Sequence, residues 1–157
     1  MSAPRPKASP RIMDPAPSQP RMLLATTPEG EPVVRDILAP LRADLLCAFT
    51  HEEAIARIRE GVDVVLCTLR FDDSRMLDLL AEVGASPHHP PLVCCRLLDS
   101  DLPEASLRAA FTVAGHLGAA VLNFPELVRR EGFVRAGAAL RESVAAHLHG
   151  VGQASMS

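Results

Sequence analysis

Thr68, Arg70, Asp72 and Asp73 lie close together in the run Val62-Asp63-Val64-Val65-Leu66-Cys67-Thr68-Leu69-Arg70-Phe71-Asp72-Asp73. The run opens as unbroken apolar residues, many of them β-branched, which is the pattern of a strand buried on both faces. It ends in a polar loop, and a new helical pattern starts at Ser74. In an open α/β sheet, ligands and chemistry gather where a central strand delivers its carboxyl end. A hydroxyl, a guanidinium and two carboxylates therefore stand where a site belongs.

Other reactive side chains are less well placed. Ser74, with His51 or His116 as a base, lacks a nucleophile elbow of the GxSxG kind. No GxGxxG or Walker-type loop is present to cradle a phosphate. His88 and His89 precede an apolar run containing Cys94 and Cys95, but adjacent strand residues point to opposite faces, so the four do not converge on a metal. Cys47, Cys67, Cys94 and Cys95 all sit in apolar runs without CxxC spacing and read as reduced core thiols. His147 and His149 suit the dipole of a helix C-terminus. No metal or cofactor is expected.

The totals narrow the class further. A chain of 157 residues, 48% hydrophobic and 22% charged, has the composition of one globular domain. A net charge of −3 offers no electrostatic attraction to nucleic acid, and Trp and Tyr, the usual base-stacking platforms, are absent. No apolar run approaches the roughly 20 residues of a membrane span. The N-terminus carries prolines where a secretory signal needs an apolar stretch. The expectation is a cytoplasmic protein that contacts neither nucleic acid nor membrane.

Taken in order, residues 1–20 form a Pro-rich segment with Arg5, Lys7 and Arg11, expected to be a disordered tail. Strands are expected at 21–25, 44–49, from 62 onward, at 92–95 and at 119–122. Pro32 suits the first position of a helix, although Pro40 obscures that helix's end. Thr50 and Glu53 make a capping-box pattern for a second helix, stopped by Gly61. A third helix carries Met76 to Val83, and a fourth opens at Pro103 and Glu104 and closes at Gly118. The last is expected from about Glu126 to His149, followed by a disordered tail over 151–157. Strand–helix units joined by short connections imply a doubly wound parallel sheet, because each crossover helix must cover a sheet face.

With Leu117-Gly118-Ala119-Ala120-Val121-Leu122-Asn123-Phe124-Pro125 added to the Val62–Arg70 stretch, the order and spacing become specific. Over about 21–150 the chain resembles the receiver domain of bacterial response regulators. That resemblance implies a three-layer α/β/α sandwich with five parallel strands in the order 2-1-3-4-5. It also implies a site at which the third strand's aspartate accepts a phosphoryl group. An acidic pair helps to hold Mg²⁺, and a hydroxyl residue and a lysine contact the phosphoryl oxygens.

Carried over by position, the acidic pair falls on Thr26 and Thr27, the phosphoacceptor on Thr68, the hydroxyl residue on Arg96 and the lysine on Phe124. The aromatic switch position falls on Val121. Hydroxyls are poor substitutes for the carboxylates that hold Mg²⁺, and threonine cannot form an acyl phosphate. The expectation is a degenerate pseudo-receiver without enzymatic activity that acts as a protein-interaction module in two-component-type signalling. Arg96 would pair with Asp72 or Asp73 and lock the loops, bind an anion, or simply extend into water. The alternative is a small flavodoxin-like anion or ligand binder, or an enzyme, built on the same loops. A protein partner or a second copy would dock on the face of the fourth helix, fifth strand and fifth helix, beside Arg129, Arg130, Arg135 and Arg141.

Overall fold

The structure, a computed structural model, describes residues 19–87, 89–98 and 103–156, with side chains described as far as Leu148. The expected tail over 1–20 falls outside the described residues except for Gln19 and Pro20, and His88 also lies outside them.

Strands β1 (Arg21–Ala25), β2 (Asp44–Ala48), β3 (Val64–Thr68), β4 (Leu92–Arg96) and β5 (Ala120–Asn123) form one parallel sheet in the order β2-β1-β3-β4-β5. Side chains alternate between two cores. Leu23, Ala25, Val65, Cys67, Leu92 and Cys94 face α2 (His51–Glu60), α4 (Met76–Gly84) and α5 (Glu104–His116). Met22, Leu24, Val64, Leu66, Val93 and Cys95 face α1 (Glu31–Leu38) and α7 (Phe133–Met156). The doubly wound three-layer sandwich is as the sequence predicts.

Local signals account for most boundaries. Pro32 sits in the first turn of α1, which ends at Leu38, two residues before Pro40. Thr50 Oγ1 accepts the Glu53 N–H at 3.2 Å, and Glu53 Oε1 accepts the Phe49 N–H at 2.8 Å. The glutamate thus reaches one residue further back than in a regular capping box. Gly61, at φ +106, ends α2.

Two expectations are corrected. The last helix is not continuous from Glu126: α6 (Phe124–Glu131) and α7 are separated by Gly132 at φ +92. Gly132 N–H caps α6 on Val128 O at 2.9 Å, and Gly132 O accepts the first bond of α7, from Ala136 N at 3.0 Å. Helical periodicity continues through this glycine, so the sequence pattern alone does not reveal the break. The backbone of α7 also runs to Met156, past Gly150. Gly150 and Gly152 each weaken a helix by only about 1 kcal/mol relative to alanine, and no proline follows to end it.

Ala136, Leu140 and Val144 of α7 are fully buried against the sheet, while Val134 is 80% exposed. Leu140→Ala is expected to lower unfolding free energy by about 2–5 kcal/mol. Val134→Ala should change it by no more than about 0.5 kcal/mol. Urea denaturation checks both.

Burial raises the Cys67 thiol well above its ordinary value and brings Cys94 and Cys95 to about 12. An unfolded thiol ionises near 9.0, so between 9.0 and about 12 the unfolded chain holds fewer protons than the folded one. Stability should fall as pH rises through that window, by about 1.4 kcal/mol per pH unit for each such thiol. A thiol reagent near pH 8 should label half-buried Cys47 alone in the folded protein and all four cysteines in urea.

Candidate functional site at the carboxyl edge of the sheet

β1 and β3 are adjacent, with Ala25 opposite Cys67, so Thr26 and Thr68 emerge together at the carboxyl edge. Strand alternation turns both side chains toward the α1 and α7 face, the side of Leu24 and Leu66. Both threonines are buried, and their hydroxyls hydrogen-bond to each other at 2.9 Å. Thr27 Oγ1 accepts the Gly30 N–H at 3.1 Å and so helps to start α1.

Gly30 lets that helix begin directly above the pair. A Cβ there would stand 2.7 Å from Thr26 Oγ1 and 2.9 Å from Leu97 Cδ2. What remains between the threonines, Leu97 and Leu98 is a cavity of about 20 Å³. A single water needs about 10–15 Å³, so the space directly at the threonine pair is no larger than one water, and it adjoins a wider hollow through Thr27, Arg70 and Leu98.

A larger, open hollow of about 490 Å³ lies beside it, lined by Glu29, Phe49, Arg70, Asp72, Asp73 and Leu98 among others. Three carboxylates against one guanidinium make it a poor anion site. The β3 loop reaches it through α3 (Phe71–Ser74), a single turn in which Asp72, Asp73 and Ser74 have φ of +44°, +55° and +68°. Left-handed conformations cost non-glycine residues about 1–2 kcal/mol each. Opposing that cost are the fully buried ring of Phe71 and the carboxylate of Asp72, which accepts the His51 N–H at 2.8 Å and lies 3.6 Å from Arg75 Nη1.

Of the five residues placed by resemblance, Thr26, Thr27 and Thr68 line one cavity, but Arg96 and Phe124 do not. Phe124 is buried in the α1 and α7 core and meets Phe133 edge to face at 5.7 Å. Asp72, expected to pair with Arg96, has other partners in His51 and Arg75. The left-handed turn carries Asp72 to the start of α2 and to Arg75, whereas Arg96 lies on β4 opposite Asn123 of β5.

Arg141 is half-buried, and its Nη1 donates to Ile37 O at 3.0 Å and ties α7 to α1. Arg129, Arg130 and Arg135 are exposed, with Arg130 near Glu126 and Glu131. Gly30, Leu97 and Leu98 were missed as site residues. The only signals were a turn glycine after Pro28 and two leucines just past a strand.

Among the described residues, no cluster of three or more His, Cys, Asp or Glu side chains could hold a metal. Among the same residues, no helix is long and apolar enough to cross a membrane.

Comparison by sequence returns no matching family model and no matching curated protein. Solved structures do match. A response regulator receiver protein from Pseudoalteromonas atlantica has a TM-score of 0.60 at 18% identity, over 84% of this chain and 99% of that one. The signal receiver domain of an HD domain-containing protein from Pseudomonas fluorescens Pf-5 has a TM-score of 0.55 at 17% identity, over 83% and 98%. NtrX from Brucella abortus has a TM-score of 0.62 at 16% identity, over 89% of this chain and 30% of that one. The chain has the receiver fold. Identities at this level establish architecture, and chemistry within the fold has to be argued from the carboxyl edge itself.

The Thr26–Thr68 bond is a buried pair in which each hydroxyl satisfies the other. Thr26→Val or Thr68→Val alone strands one hydroxyl and is expected to cost about 1–3 kcal/mol. The double variant removes both and should cost clearly less than the sum of the singles. Urea denaturation of all four proteins reads the coupling.

Proposed function

We propose that this receiver-fold chain is a pseudo-receiver: a non-enzymatic protein-interaction module of two-component-type signalling that is not controlled by aspartyl phosphorylation. The observation that carries this reading is the closed hydroxyl pair of Thr26 and Thr68 beneath Gly30 and Leu97. That pair stands where the resemblance would put carboxylates, and Phe124 takes the position of the phosphoryl-binding lysine. Neither an acyl phosphate nor its Mg²⁺ has a ligand there.

The working surface in this reading is the face of α5, β5 and the elbow between α6 and α7. Val113, Val121, Phe133 and Val134 are exposed on these elements. Arg129, Arg130 and Arg135 add positive charge near the elbow. Aromatic and arginine side chains are typical anchors of protein interfaces, and the occupant is a partner protein or a second copy.

The 490 Å³ hollow is the one feature that favours the second reading, a small-ligand binder or enzyme. Its carboxylates argue against an anion, and no nucleophile–base pair lines it.

Incubation with acetyl phosphate and Mg²⁺ should leave the mass of the protein unchanged, and beryllofluoride with Mg²⁺ should leave its thermal midpoint unchanged. Mg²⁺-dependent gain of a phosphoryl group at any acidic residue of these loops would overturn the proposal.

A further inference from the structure

At the opposite, amino edge of the sheet, α2 and α4 leave a groove of about 330 Å³. Ile55, Ile58, Val62 and Val83 supply apolar lining, and Arg59 and Glu82 supply charge. The first three are only partly buried. Glu82 lies 3.2 Å from His51 Nε2, while Arg59 has no ion-pair partner among the described residues.

The chain enters the sheet at the lip of this groove. Arg21 N donates to Asp63 Oδ2 at 2.8 Å, Arg21 O accepts the Asp63 N–H at 2.7 Å, and Arg21 Nη2 lies 3.9 Å from Glu60. These contacts hold residue 21 next to Asp63, the neighbour of the lining residue Val62, while Pro20 O accepts the Asp44 N–H of β2 at 2.8 Å, so the preceding chain starts close to the groove.

Between residues 2 and 18 the only bulky apolar side chains are the adjacent Ile12 and Met13, flanked by Arg11 and Asp14; these residues lie outside the described part of the chain. The stretch from Asp14 to Pro20 spans up to about 20 Å when extended. The stretch of α2 from Ile55 to its end at Gly61 rises only about 9 Å. The tether is therefore long enough, and the charge order is complementary, with an acid for Arg59 and a base for Glu82.

We propose that Arg11-Ile12-Met13-Asp14 of the same chain occupies this groove. Ile12 and Met13 cover the apolar lining, Asp14 pairs with Arg59, and Arg11 lies toward Glu82. The N-terminal segment is then an intramolecular cover for the α2–α4 face, separate from the α5–β5–α6 face and independent of any chemistry at the carboxyl edge.

Hydrogen-exchange mass spectrometry on the full-length chain tests this through peptides spanning residues 55–62 and 83–86. The double variant Ile12→Asp with Met13→Asp should raise exchange in both peptides several-fold, with β1 and β4 unchanged. Equal exchange in wild type and variant would overturn the proposal. Asp14→Arg and Arg59→Asp should each raise exchange, and their combination should restore protection; failure of the combination to restore it would also overturn the assignment. Protection that falls on dilution would give the groove to the segment of a second copy, and the same-chain proposal would fail.

Discussion

β1, β3 and β4 exclude water from both faces of the sheet, and the rest of the molecule follows from that exclusion. Met22 to Ala25, Val64 to Cys67 and Leu92 to Cys95 are each buried at every position. Burial of an aliphatic side chain contributes about 1.5–3 kcal/mol, but only if both faces are roofed. Parallel strands require crossovers in any case, and those crossovers supply the helices. The chain turns one way from β1 to β2 and the other way from β3 through β5. The reversal beside β1 and β3 is what opens a crevice at the carboxyl edge.

What fills that crevice decides its chemistry. Carboxylates crowded at such an edge repel one another and need a cation; hydroxyls do not. Thr26 and Thr68 satisfy each other, and Gly30 lets α1 settle onto them with Leu97 alongside. The position of the pair is thus uncharged and tightly packed, and the edge's charge lies in the neighbouring hollow. The carboxylates of Asp72 and Asp73 are displaced into the neighbouring hollow, and Asp72 is engaged in holding the turn against α2.

The architecture was legible because three signals agreed: buried strand runs, helical periodicity between them, and the caps at Pro32, Thr50 and Gly61. The alternation of β1 and β3 makes Thr26 and Thr68 neighbours once the strand order is known, and the resemblance supplied that order. The partners of Asp72 have a cause the residue pattern does not encode. Three consecutive left-handed residues at 72–74 redirect the loop toward α2, and none of them is a glycine that would have advertised the turn. The Gly132 break was hidden for the converse reason, since a glycine inside a periodic helix is an ordinary occurrence. The closeness of Gly30 to Leu97 is a tertiary contact across 67 positions, and no local signal announces it.

The packed threonine pair also constrains how a module of this kind would transmit information. A ligand shifts a conformational equilibrium only by its differential affinity for the two states. A receiver that binds a phosphoryl group has such a difference at its carboxyl edge. Here the space at the threonine pair is only about 20 Å³, the loop is tied to α2 through Asp72, and α7 is tied to α1 through Arg141. On the pseudo-receiver reading, control therefore moves from the strand ends to the surfaces of the helices. On the same reading, the strength of signalling would be set by which faces are covered and by the concentration of what covers them.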